Sequence, residues 1–315
     1  MSKNNSLEQV NLPWPLALFV NILIVLGFYL MFNGFAAFTM QLVSGGIPTE
    51  SDLVANGPNA YAVKNTLLLG HIVGILVGMI LLPLLYVFYI RKELNDAIFK
   101  PSWFQFGTFV LLAASITFIV LPFLGVVSDL NKAILLPDSM KSVELGMRAL
   151  EDKAAEMTKL IVYCNSTSEL LLVIFTVALL PAIGEELVFR GVLQNGLIRV
   201  FGNVHIAVFI SAAVFSFIHF QFFGFFPRML LGIVLGYLYV TSGNILVSML
   251  MHFTNNAMAV IAMNMHAKGQ LGIDLESSKD LPAISGYISI ILSSALMYFC
   301  WRLYKQRTEL EKTNV

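Results

Sequence analysis

The second half of the chain contains the sequence Gly184-Glu185-Glu186-Leu187-Val188-Phe189-Arg190-Gly191-Val192-Leu193. It directly follows the apolar run from Leu170 to Ile183, so three ionisable groups lie where a membrane-spanning helix is expected. Placing such a group at the centre of a bilayer costs about 2.5–3.5 kcal/mol on insertion scales. Ionisable residues at that depth usually serve a function, so these three charges are the first candidates for a functional site.

The composition is typical of an integral membrane protein. Hydrophobic residues make up 57% of the 315 residues and charged residues only 12%, whereas soluble domains average about 45–50% and about 25%. The formal net charge is zero, which argues against the basic surface of a nucleic-acid-binding protein. The two cysteines, Cys164 and Cys300, do not have the spacing of a metal-binding or redox motif.

Windows of about 20 apolar residues mark the candidate membrane spans. There are eight, near residues 14–38, 66–90, 104–126, 168–193, 204–223, 225–241, 244–264 and 283–304. Because backbone groups in lipid must be hydrogen-bonded within the segment, we predict an all-α fold, a polytopic membrane helical bundle of about eight transmembrane helices. We expect one integral membrane domain in three parts: helices and a long connector in 1–167, the core helices in 168–265, and a last span with a tail in 266–315.

The Lys and Arg residues predict the orientation, because cytoplasmic loops carry more of them. With the N-terminus inside, ten fall in inner segments: Lys3, Arg91, Lys92, Lys100, Arg190, Arg199, Arg302, Lys305, Arg307 and Lys312. Four fall in short outer segments: Lys64, Arg228, Lys268 and Lys279. The long outer loop 127–168 adds five more, and the balance still favours both termini in the cytoplasm.

The long connector has a pattern of its own. From Ser139 to Val162, charged residues alternate with apolar ones at the period of an α-helix. This pattern fits an amphipathic helix at the membrane surface and also fits a solvated connector.

Three polar clusters interrupt the apolar helices of the second half. They are Glu185-Glu186 with Arg190, Phe215 with His219, and His252 with Asn256. The last pair continues a stripe with a period of four that also includes Asn244 and Ser248. Residues four apart share one face of a helix, and a polar stripe in a span faces protein or water rather than lipid.

Helical geometry separates the roles of the charges in the first cluster. Glu186 and Arg190 are four residues apart and can pair, whereas Glu185 is rotated by about 100° from Glu186. If the chain turns near Gly202, Glu185 lies 17 residues before the turn and His219 lies 17 after it. In an antiparallel hairpin those two side chains lie at one depth, where a carboxylate and an imidazole can share a proton or a water.

Such side chains are suited to hydrolysis. A glutamate and a histidine can take a proton from water and return it to a leaving amine. A second histidine and an amide can donate hydrogen bonds to an oxyanion. Ser216 and Ser248 lack the sequence context of a nucleophilic serine, and the HExxH pattern of zinc peptidases is absent.

These residues resemble the CAAX-protease and bacteriocin-processing (CPBP) family of intramembrane glutamic endopeptidases, which includes type II CAAX prenyl endopeptidases. Glu185-Glu186-x-x-x-Arg190 resembles the first family motif, Phe215-x-x-x-His219 the second and His252-x-x-x-Asn256 the third. The motifs occur in the family order, and the resemblance covers roughly 168–265.

The resemblance implies a role for each motif residue. Glu185 is then the catalytic carboxylate, and His219 helps it to activate water. His252 and Asn256 bind the oxyanion, and Glu186 and Arg190 support the site. It also implies an enzyme that uses no cofactor and no metal, with a membrane-associated peptide or protein as substrate, in a bacterial cell membrane.

Other interpretations remain open from the sequence. Glu185 could be a structural carboxylate paired with Arg190, and His252 and Asn256 could be hydrogen-bonding contacts between helices. The fold could serve as a non-catalytic scaffold or a bacteriocin self-immunity factor, or the Glu and His groups could relay protons in a transporter. Glu and His side chains could also bind zinc. Gly232-x-x-x-Gly236 predicts close helix packing.

Overall fold

A computed structural model of the protein describes residues 13–44, 60–91, 102–271, 282 and 284–313. Within these ranges all regular structure is helical, which confirms the all-α polytopic bundle. The α-helices are α1 Trp14–Ser44, α2 Ala60–Gly74, α3 Leu82–Leu85, α4 Phe106–Lys132, α5 Lys141–Val162, α6 Thr167–Val173, α7 Leu180–Glu186, α8 Asn195–Phe201, α9 Val204–Phe217, α10 Phe225–Ser242, α11 Ile245–Ala267 and α12 Ile284–Thr313.

Wider π-helical turns join several of these helices into longer rods. Ile75–Leu81 and Tyr86–Arg91 extend α2 and α3, and Ile174–Leu179 and Leu187–Gln194 join α6, α7 and α8. Such turns are frequently found at functional sites. The segment Leu187–Gln194 starts directly after the two glutamates and is buried along its whole length.

Seven helical rods of the described chain are long and apolar enough to cross a membrane. They are Trp14–Val43, Tyr61–Tyr89, Phe106–Lys132, Thr167–Phe201, Phe222–Ser242, Ile245–Ala267 and Ile284–Leu310. The predicted span 204–223 is the exception, because α9 has 14 residues. At 1.5 Å per residue it is about 21 Å long, which is shorter than a hydrocarbon core of about 30 Å.

The chain reverses between α8 and α9 at the predicted place. Gly202 has a left-handed backbone (φ +60°) that ends α8, a conformation that glycine adopts without steric cost. The side chain of Asn203 accepts hydrogen bonds from the first amides of α9. The turn near Gly202 is therefore confirmed.

The amphipathic segment of the connector forms a helix, α5, with the short turn Asp138–Met140 before it. This helix packs against α2, α11 and the turn Phe222–Gly224. One part of the orientation argument needs correction: Arg190 lies inside the span Thr167–Phe201 and is buried, so it is not a loop residue. The inner count then falls from ten to nine against four in short outer segments. This balance counts α9 as a crossing, and the orientation stays a prediction.

Two buried apolar clusters flank the rod Thr167–Phe201 and α10. One includes Phe28, Ile75, Phe189 and Phe215, and the other includes Phe109, Leu235 and Met251. Glycines bring the helices close: a Cβ on Gly184 would lie 2.9 Å from the Cβ of Met79. The rod that carries the glutamates is thus enclosed by protein over most of its second half.

Candidate active site

Glu186 and Arg190 form the predicted ion pair. Arg190 Nη1 donates to Glu186 Oε1 at 2.8 Å. The Arg190 side chain is 1% exposed and the Glu186 side chain is 0% exposed. Arg190 Nη2 also donates to the carbonyl of Gly232 on α10 at 2.9 Å. A buried charge is tolerated when it is paired and hydrogen-bonded. The pair therefore anchors the glutamate helix to α10.

Both glutamates meet one imidazole, that of His252 on α11. His252 Nδ1 lies 2.9 Å from Glu186 Oε1, and His252 Nε2 lies 3.7 Å from Glu185 Oε2. Glu186 is fully buried, whereas the Glu185 side chain is 16% exposed. The two carboxylates thus approach opposite nitrogens of the ring, and Glu185 is the one that reaches solvent or lipid.

The position of His219 differs from the prediction. The sequence places it inside a span, but α9 ends at Phe217 and His219 lies in the turn that follows. Its Nδ1 lies 2.8 Å from the carbonyl oxygen of Phe215. Since a carbonyl only accepts, Nδ1 carries a hydrogen, and in a neutral ring Nε2 is then the acceptor. His219 Nε2 is therefore equipped to take a proton.

The residue after His219 has an unusual backbone. Phe220 has a φ of +53°, a left-handed conformation that is disfavoured for a bulky residue. Such a backbone costs on the order of 1–3 kcal/mol and persists where surrounding contacts hold it, often at a functional site. This turn explains why α9 is shorter than the predicted span: the chain leaves the helix to present His219 and then enters α10.

The ring of Phe215 is the common neighbour of the site. Its centroid lies 5.1 Å from that of His219 and 6.0 Å from that of His252. Arg190 Cζ lies 5.2 Å from the same centroid, and the Phe189 ring packs edge-on at 5.1 Å. Phe215 is 2% exposed, so the ring that contacts both imidazoles is itself buried in the protein. The sequence identified Phe215 only through its spacing from His219.

The polar stripe of α11 follows one helix face as predicted, but its members differ in surroundings. Asn244 caps the helix and donates to the carbonyl of Ser102, and Ser248 Oγ donates to the carbonyl of Ile245. Asn256 lies one turn beyond His252, is half-buried, and accepts a hydrogen bond from Asn255 at 3.4 Å. Of the stripe residues, His252 therefore contacts the glutamates, and Asn244 caps the start of the helix.

No group of three or more His, Cys, Asp or Glu side chains is arranged as a set of metal ligands in the described ranges. The Glu186 oxygen nearest His252 already accepts from Arg190. The second oxygen of Glu186, Oε2, and Arg190 Nε are buried without a hydrogen-bond partner in the described part of the chain.

Gly232 is a site residue to which the sequence assigned only a packing role. A Cβ there would lie 3.1 Å from Ala212 Cβ and 3.3 Å from Phe215 Cδ1. We expect Gly232→Ala to lower the turnover rate by displacing the Phe215 ring, in addition to the roughly 1–3 kcal/mol of overpacking. Gly236→Ala is the matched variant, since its Cβ would press on Gln194 and Val208 instead. Equal losses of stability with equal turnover rates in the two variants would contradict a role for Gly232.

Comparison with known proteins identifies one family. The family model described as type II CAAX prenyl endopeptidase Rce1-like matches residues 167–258, less than half of the chain. The matched segment runs from α6 into α11 and includes all seven motif residues. No curated protein and no solved structure matches the chain.

Proposed function

Because residues 167–258 match the family model described as type II CAAX prenyl endopeptidase Rce1-like, we propose that the protein is an intramembrane endopeptidase of the glutamic type. It cleaves a membrane-associated peptide or protein with a water molecule activated by Glu185 and His219. The observation that carries the proposal is the partly exposed Glu185, set beside an imidazole that a buried Glu186–Arg190 pair holds in place.

Glu185 takes the proton of the attacking water in this proposal. Its carboxylate is the more exposed of the pair, and the other glutamate is committed to Arg190 and His252. His219 assists through Nε2, since its Nδ1 hydrogen is donated to Phe215. As the peptide bond breaks, the proton passes to the leaving amine, the general acid step that follows general base catalysis.

His252 and Asn256 stabilise the oxyanion of the tetrahedral intermediate. The ionised Glu186 only accepts, so His252 carries a hydrogen on Nδ1. To donate from Nε2 as well, the ring must hold two protons. Oxyanion donors of this kind are each worth about 2.7–4 kcal/mol in acyl transfer.

The substrate reaches the site from the membrane. Glu185 lies within the span Thr167–Phe201, so a soluble peptide would have to enter the bilayer, whereas a prenylated or leader-bearing peptide is already anchored there. We propose a multi-pass location in a bacterial cell membrane with both termini in the cytoplasm. A non-catalytic scaffold or bacteriocin self-immunity factor with this fold is the alternative, and it predicts no turnover.

The proposal is tested with purified protein in proteoliposomes and a library of lipid-anchored peptides. We expect mass spectrometry to find cleaved peptides, with a rate that is unchanged after prolonged dialysis against a chelator. A rate that falls on dialysis and returns with Zn²⁺ would contradict the metal-independent mechanism. Absence of turnover in every lipid-anchored peptide, with folded protein, would favour the scaffold alternative.

A further inference from the structure

The turn that carries His219 is held by residues far away in sequence. It runs from Ile218 to Gly224 between α9 and α10, and includes the left-handed Phe220. A turn with a disfavoured backbone does not keep its conformation unaided, so its contacts decide where His219 points. One contact is local: Ser216 Oγ donates to the carbonyl of Phe225 at 2.6 Å, which ties the end of α9 to the start of α10.

Asn131, near the C-terminal end of α4, bridges the second half of this turn. Its Nδ2 donates to the carbonyl of Phe222 at 3.1 Å, and its Oδ1 accepts from the amide of Phe226 at 2.9 Å. Asn131 is 1% exposed. A buried asparagine that satisfies a carbonyl of the turn and an amide at the start of α10 fixes both segments relative to α4.

Glu151 of the amphipathic helix α5 holds the same turn from another side. Its Oε2 accepts from the amide of Phe223 at 3.1 Å, and Arg148, one turn earlier, stacks its guanidinium 4.0 Å from the Phe223 ring centroid. Burial raises the pKa of the Glu151 carboxyl, although the Phe223 amide favours its ionised form. These two side chains therefore face the turn rather than solvent.

Helix α5 is itself anchored by the residues at its start. Arg148 donates to Glu144 at 2.9 Å and to the carbonyl of Ile134 at 3.1 Å, and Glu144 accepts from the amide of Leu136. The Arg148 guanidinium beside Glu144 lowers the pKa of that carboxyl. The first half of α5 is thereby fixed to the segment that leaves α4, so α4 and α5 hold the turn as one support.

We propose that Asn131 and Glu151 are positioning residues for His219. This inference rests on the proposed function, because His219 matters to catalysis only if the protein is a Glu–His peptidase. Asn131 and Glu151 do not touch the reacting atoms. They act by fixing the backbone three to seven residues after His219, and so determine the direction of its Nε2.

The first test measures whether Asn131 and Glu151 hold the turn, with readouts that do not depend on catalysis. We expect Glu151→Ala and Asn131→Ala to speed amide hydrogen exchange in peptides covering 220–228 and to change the rate at which diethyl pyrocarbonate modifies His219. Glu151→Gln keeps an acceptor oxygen and should restore both measurements. Glu156→Ala is the matched control, since Glu156 is an exposed glutamate of the same helix. Exchange and modification at wild-type rates in both alanine variants would overturn the inference.

Turnover then tests the consequence. In proteoliposomes we expect Glu151→Ala to lower kcat by on the order of 100-fold with KM unchanged, as displacement of a catalytic group by about 1 Å does. Glu151→Gln should return most of the rate. Faster exchange with wild-type kcat would overturn the positioning role. A wild-type protein that cleaves nothing contradicts the proposed function instead, while exchange and modification still decide whether the two residues hold the turn.

Discussion

Glu185→Gln is expected to abolish peptide cleavage while the protein still folds and inserts. The amide has nearly the same shape as the carboxylate but cannot take a proton from water, and general acid–base catalysis contributes on the order of 10²–10⁴ to the rate. Glu185 is partly exposed and is not the glutamate of the buried ion pair, so the loss of its charge should leave stability almost unchanged. The measurement is single-turnover cleavage of a lipid-anchored peptide, alongside the thermal unfolding of both proteins.

The controls for this variant isolate chemistry from charge. Glu156→Gln removes one negative charge from an exposed position on α5 and should retain full activity. A comparison of membrane peptides from cells with wild-type protein and with Glu185→Gln should show which substrates accumulate. Normal turnover by Glu185→Gln would remove Glu185 from the mechanism. Full complementation of a null phenotype by the double variant Glu185→Ala, His219→Ala would favour a scaffold or immunity role.

The membrane helices were largely predictable because each carries its own signal. Length and hydropathy identify a span without reference to its neighbours. α9 was the exception, since its apolar run continues past Phe217 and nothing in the composition ends the helix there. The turn that contains the left-handed Phe220 is hydrogen-bonded by Asn131 and Glu151, which are 89 and 69 residues away from Phe220 in sequence. A local pattern carries no information about such partners.

The site shows the same division between local and distant contacts. The Glu186–Arg190 pair follows from a spacing of four on one helix, and the structure contains it. The contact of both glutamates with His252 depends on where α11 lies beside α7, which depth along the membrane does not determine. The equal number of residues from Gly202 to Glu185 and from Gly202 to His219 predicts only that the two side chains lie at the same depth in the membrane. The shared depth stays a prediction, whereas the imidazole that contacts Glu185 is that of His252.

Arg190→Met is expected to be the most destabilising single change at the site. It leaves Glu186 without its cation in a position that is 0% exposed, and it removes the hydrogen bond to the carbonyl of Gly232. Breaking a buried ion pair by deleting one partner costs about 3–5 kcal/mol. The free energy of unfolding in detergent, measured by denaturant titration, should fall by that amount. The matched change Arg199→Met, at an exposed position near the end of α8, should cost far less.

The double variant Glu186→Leu, Arg190→Met distinguishes stability from function in this pair. Replacing a buried ion pair by apolar residues of similar volume is often neutral or stabilising, so much of the loss in Arg190→Met should be recovered. His252 would then have no acceptor for its Nδ1 hydrogen. Its ring would no longer be held in the orientation in which Nε2 points toward Glu185. We therefore expect a stable protein that remains inactive. Recovered stability together with recovered turnover would mean that the pair holds helices together and has no part in setting His252. Wild-type stability in Arg190→Met alone would mean that Glu186 does not depend on Arg190 for its charge, and the support role assigned to the pair would fail.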